Sequence, residues 1–204
     1  MAGGLTEELV VRPMPPPRPV TYRNRHVAEK TSLCPQASPK SSTVRPTMIA
    51  IDFLPRPDDK SWHSLEKFGK TPQELTEDDF TFRHFMVDVV IHDRHAGDIP
   101  LVTPGLPVVD FLLMLVQMRR EALEAGESTV ETSQTQNTIH AVRRGDTVRL
   151  HYSFSETVSD MPMGEFLEIP RAGFHAALKV LHSADEELRS NRYLESMTSI
   201  FEGS

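Results

Sequence analysis

The stretch that most restricts what this chain can fold into runs from Leu106 to Ala125. After Pro107 it reads Val108-Val109-Asp110-Phe111-Leu112-Leu113-Met114-Leu115-Val116-Gln117-Met118. Proline at the first helical position has its φ set in advance and no amide to leave unpaired, and Gly126 offers a left-handed stop after Glu124 and Ala125. The spacing predicts one helix. Its first three turns are apolar at nearly every position, so they need cover on most sides rather than along one stripe. Such a helix is a core, and the other segments are read as its wrapping.

Composition divides the chain near residue 47. Residues 1–47 hold eight of the sixteen prolines and no sustained apolar period, as in Arg12-Pro13-Met14-Pro15-Pro16-Pro17-Arg18-Pro19. Too little apolar surface is available there to offset ordering entropy, so this basic stretch is expected to be a disordered or polyproline tail. It carries seven Lys and Arg against three Asp and Glu, net +4; the chain's total of −7 therefore leaves −11 for residues 48–204. These form the expected single domain. Met48 stands at the boundary and is a candidate translation start.

An acidic domain repels nucleic-acid phosphates and attracts basic proteins, so direct nucleic-acid binding by the folded part is not expected. Cys34, the single cysteine, excludes an intramolecular disulfide and a cysteine zinc site. The apolar part of the central helix is shorter than the roughly 20 residues that span a bilayer and contains Asp110, so a cytoplasmic protein without a membrane partner is expected.

Met48 to Leu54 reads as a strand stopped by Pro55 and Pro57. Trp62, Leu65 and Phe68 suit a short helical piece, and Thr71-Pro72-Gln73-Glu74 a capped turn. Phe80 to Ile91 reads as one long strand, followed by the loop His92 to Asp98 and a connection from Ile99 to Pro107. Three strand candidates follow, at 128–132, 138–143 and 147–154. A two-residue turn at Gly145-Asp146 pairs Arg144 with Thr147 and His140 with His151. That register puts Ile139, Ala141, Val148, Leu150 and Tyr152 on a dry face and His140, Arg144, Arg149 and His151 on a wet one. Phe166 and Ile169 suggest a short strand before Pro170. Phe174, Ala177, Leu178, Leu181 and Leu188 predict an amphipathic helix, Asn191 a break or cap, and Tyr193 to Phe201 a closing helix. The order β-β-α-β-β-β-α-α is α+β, a mainly antiparallel sheet packed against one buried central helix and the C-terminal helices.

Three sets of residues are candidates for function. His92 and His95, with Asp98 nearby, have side chains that suit zinc or another transition ion, although a solvated polar turn has the same composition. His140, Arg144, Arg149 and His151 share the polar face of a hairpin, where two imidazoles would serve acid/base chemistry or contact a partner. Glu127, Glu131, Glu165, Glu168, Asp185, Glu186 and Glu187 supply an acidic surface for a basic partner. No serine elbow, phosphate loop, dinucleotide fingerprint or His-Glu-x-x-His motif occurs, so no catalytic residue is assigned and no cofactor is expected.

Leu106-Pro107-Val108-Val109-Asp110-Phe111-Leu112-Leu113, the Arg143 to Tyr152 hairpin and Asn191-Arg192-Tyr193-Leu194 together resemble small bacterial domains of the immunity-protein type found beside polymorphic toxins. The resemblance covers residues 48–204 and implies a module that binds and blocks a protein partner without catalysis. The leading expectation is therefore a non-enzymatic binding module with an acidic surface. A small histidine- or metal-dependent enzyme and a structural subunit of a larger assembly are the alternatives, and the oligomeric state stays open.

Overall fold

The long apolar run does form one helix, α1 (Val108–Ala125), in the computed structural model, which describes residues 48–65 and 69–202 and, for residues 102–104, the backbone alone. The proline-rich stretch, Cys34 and Phe68 lie outside the described residues. Pro107 is the N-cap rather than the first helical residue, and Gly126 closes the helix at φ 85°, its amide donating to the Ala122 carbonyl. Val108, Val109, Phe111, Leu112, Met114, Leu115, Met118 and Ala122 are buried. The helix is covered as its composition requires, and the fold around it is α+β.

Two antiparallel sheets and two further helices supply the cover. The first sheet is β1 (Ile49–Pro55), β2 (Met86–Asp93) and β3 (Gly97–Pro107), in that order. The second is a meander of β4 (Glu127–Glu131), β5 (Thr138–Arg144), β6 (Thr147–Tyr152) and β7 (Ser155–Pro162). Then come α2 (Met163–Ala184), which packs along β1 and α1, and α3 (Arg192–Glu202). Gly173 lets α2 approach closely, because a Cβ there would sit 3.2 Å from a Leu115 methyl and 3.6 Å from Ile51.

Further expectations are corrected. The run from Phe80 is not one strand, for Asp79–Arg83 forms a single wide π-type turn and Phe85, fully buried, sits at φ 61° before β2 begins at Met86. That costly backbone is over-determined: Ser61 Oγ accepts the Phe85 amide, Asp59 accepts the Met86 amide, and Trp62 and Phe80 pack on the ring. The connection from Ile99 to Pro107 is strand β3, and β7 is a strand the sequence does not announce. Phe166 and Ile169 belong to α2, which continues through Pro170.

The amphipathic helix expected from Phe174 to Leu188 ends at Ala184, and Leu188 lies in a separate 3-10 turn, Glu186–Ser190. Two expectations stand. The 144–147 and 140–151 pairings are those of the structure, with Gly145 at φ 61°. Thr71–Glu74 is a capped turn, the Glu74 carboxylate accepting from the Thr71 amide at 2.8 Å.

Candidate functional site

The second sheet has one dry and one open face. Ser128, Val130, Ile139, Ala141, Val148, Leu150, Tyr152, Ser159 and Met161 are buried on the inner side, where α1 packs against β4 and β5. Alternation then commits Glu127, Thr129, Glu131, His140, Arg144, Arg149, His151 and Asp160 to the outer side. Two of the residue sets read separately from the sequence thus lie together: Glu127 and Glu131 on β4, and the four basic residues on β5 and β6.

The register arranges them in rows. Thr129 stands opposite His140, and His140 opposite His151, with the imidazole centroids 6.2 Å apart. The Thr129 hydroxyl and His140 Nδ1 share a hydrogen bond at 2.8 Å. In the next row Glu127, Val142, Arg149 and Asp160 follow one another across the sheet. Arg149 donates from Nε and Nη2 to the two Asp160 oxygens, both at 2.8 Å. This bidentate bond holds the Asp160 carboxyl below the usual carboxylate range. Arg144 stays exposed at the hairpin tip. Two neighbouring imidazoles on a solvated face can share a ligand or contact a partner, and among the described residues none covers them to exclude water from a reacting atom.

β4 is also an open edge. Arg143 N donates to Gly126 O and Thr132 N to Asn137 O, so the even-numbered residues of β4 face β5. Glu127, Thr129 and Glu131 then direct their main-chain N–H and C=O groups away from the sheet.

The remaining acids are occupied locally and far apart. Glu165 accepts from the Met48 amide at 2.7 Å, and Glu168 pairs with Arg171 one turn along α2. Asp185 caps the next turn by accepting from the Glu187 amide, Glu186 lies 3.9 Å from Arg189, and Glu187 accepts from Gln73. The length of α2 puts Glu165 about 30 Å from Asp185 at 1.5 Å per helical residue. The seven acids do not form one patch.

His92 and His95 do not converge either. His92 lies on β2 opposite Asp98, its Nδ1 2.7 Å from that carboxylate and its Nε2 3.1 Å from Asp52 of β1. The Asp98 hydrogen bond raises the His92 pKa most; partial burial opposes it and the Asp52 bond adds to it. With both ring nitrogens directed at carboxylates, His92 is a cross-strand clamp across three strands. Asp93, inside the stretch read as a loop, is buried and accepts the His95 and Ala96 amides. Among the described residues, no group of three or more His, Cys, Asp or Glu is placed to hold a metal ion.

The sequence reading missed a cleft of about 500 Å³ between the end of β1 and the second half of α2. Asp52, Phe53, Leu54 and Pro55 form one wall, Ala176, Lys179, Val180, Ser183 and Ala184 the other, with Trp62 and His63 also lining it. In the sequence the two walls are visible as a strand and a helix, but the repeat that announces the helix, Phe174, Ala177 and Leu181, is its buried face and not the stripe that lines the cleft. Comparison with protein-family models, curated proteins and solved structures finds no match to the chain. No helix among the described residues is long and apolar enough to cross a membrane.

Proposed function

We propose that the chain is a non-enzymatic protein-binding module, of the immunity or inhibitor kind, in which the outer strand and open face of the second sheet meet a basic protein partner. The observation that carries this reading is β4: an edge strand with outward main-chain groups and exposed Glu127 and Glu131 at its two ends. A partner strand bearing Lys or Arg would gain main-chain pairing along the edge and charge complementarity at both ends. The domain's net −11 would speed the encounter, with an ionic-strength dependence.

The test is isolation of the native partner by salt-sensitive capture, followed by affinity measurements on variants. Glu127→Lys with Glu131→Lys should weaken binding at least tenfold and flatten its salt dependence, while Glu186→Lys with Glu187→Lys changes it little. Equal binding by the β4 variant and the parent would remove the assignment.

A further inference from the structure

The cleft between β1 and α2 has the construction of a peptide groove. Arg94 N donates to Met48 O and Arg56 N to Met86 O, which fixes the even-numbered residues of β1 as those bonded to β2. Ile51 and Phe53 therefore turn their main-chain N–H and C=O groups to the free edge, and of the two Phe53 lines the cleft. Pro55 lacks an N–H at a position where that N–H would also have faced outward, so it breaks no bond to β2 and ends the run of donors. The helical wall presents Ala176, Lys179, Val180, Ser183 and Ala184, spaced as one stripe of α2. Two of the five are alanines, which leaves width beside the strand edge. The side chain of Leu54 is half exposed at the mouth.

Charge narrows the choice of occupant. Lys179 lines the cleft and has no ion-pair partner among the described residues, whereas Asp52, on the opposite wall, is held by His92. A volume of about 500 Å³ lies within the ~300–1,000 Å³ usual for ligand sites. We propose that this cleft binds an extended peptide segment that adds as a strand to β1 at Phe53 and the Pro55 carbonyl, with apolar side chains toward Ala176, Val180 and Ala184 and one acidic side chain at Lys179. The site uses β1 and α2, not the second sheet, so it stands independently of the β4 reading. Main-chain bonds supply the affinity and the helix stripe the selectivity, as in other cases of strand addition.

The experiment uses the full chain and, as probe, an acetylated, amidated hexapeptide, Val-Thr-Glu-Thr-Val-Thr, in which the valines and the glutamate share one face of the strand. On saturation the Phe53 amide should exchange its hydrogen at least tenfold more slowly, and a probe with lysine in place of glutamate should bind at least tenfold more weakly. Lys179→Glu should reverse that order, and Ala176→Trp, checked for an unchanged unfolding midpoint, should abolish binding by filling the groove. No protection at Phe53, or equal binding by a probe whose backbone nitrogens are methylated, overturns the proposal. So does hexanoate occupying the cleft where the peptide does not, since the site would then take a small acid.

Discussion

Asn191 is fully buried and uses every hydrogen-bonding position of its side chain. Its Nδ2 donates to the carbonyls of Pro72 and Leu75 at 2.7 and 2.9 Å, and its Oδ1 accepts the amides of Tyr193 and Leu194 at 3.0 and 3.1 Å. One side chain thus caps α3 and anchors the Pro72–Glu74 turn across the sequence. Asn191→Ala removes the cap and strands two carbonyls; together these cost about 3 kcal/mol, read as a lower urea midpoint at constant slope. Asn191→Asp keeps the acceptors for the cap but sets a carboxylate against the same two carbonyls, so it too should destabilise. Values within ~0.5 kcal/mol of the parent would place Asn191 among ordinary surface positions. A break at Asn191 was legible, since asparagine between two apolar periods is a stop signal, although it caps the helix that follows and not the one before it. Its second pair of partners was not, because Pro72 and Leu75 are more than a hundred positions away.

At the level of elements, legibility followed how local the determining interaction is. α1 was readable because its apolar run and its glycine stop lie within twenty residues, and the β5–β6 hairpin because Gly145-Asp146 sets register by itself. β3 was hidden by its prolines. Yet β3 is an edge strand, and the register with β2 turns the missing Pro100 amide outward, where no ladder bond is lost. α2 keeps its helix through Pro170 because Phe166, Ile169, Phe174, Ala177 and Leu181 are buried together, and tertiary packing outweighs one lost bond. The shared face of Glu127, Glu131 and the two histidines needed the β4–β5 register, and the cleft needed β1 beside α2; neither is a local pattern. Two glycines separate backbone from packing. At Gly126, φ is 85° and a Cβ would meet nothing within 4 Å, so Gly126→Ala should cost ~1 kcal/mol through the backbone alone, with Gly126→Asn costing less. Gly173 has contacts instead. Gly173→Ala presses on Leu115 and only touches Leu112, and Gly173→Val should cost ~1–3 kcal/mol by wedging α2 from α1 and β1, with denaturation curves as the check.

For the molecule as a whole, charge acts through a few built positions more than through the net −11. Asp79 is buried; desolvation works against its charge, but Lys70 Nζ at 2.6 Å and the Thr76 amide and hydroxyl, both at 2.9 Å, hold its carboxyl down to about 2. Asp93 shifts the same way, burial opposing and Ser159 with the Ala96 and His95 amides prevailing. A lowered carboxyl contributes stability above its ordinary pKa, and that stability is lost as pH falls through the folded value. For Asp79 the contribution is about 2 kcal/mol, lost between roughly pH 4 and pH 2. His92 has the opposite sign: its raised pKa stabilises below the ordinary histidine value of about 6.5, and the contribution disappears as pH rises through the folded value. It is smaller, because the ring is 35% exposed and solvent screens the clamp. His182, pushed down by burial, works against His92, since protonating it below about pH 6.5 favours the unfolded chain. Denaturation across pH 2–9 should therefore give a broad maximum, with a steep acid limb and a shallow alkaline one. Asp79→Asn should lower the maximum and flatten the acid limb, His92→Gln should remove the alkaline slope, and His182→Gln should raise stability near pH 5 without affecting pH 8. If net charge governed instead, stability would rise steadily on acidification toward neutrality of the domain. An acid limb that Asp79→Asn leaves unchanged would reject the local account.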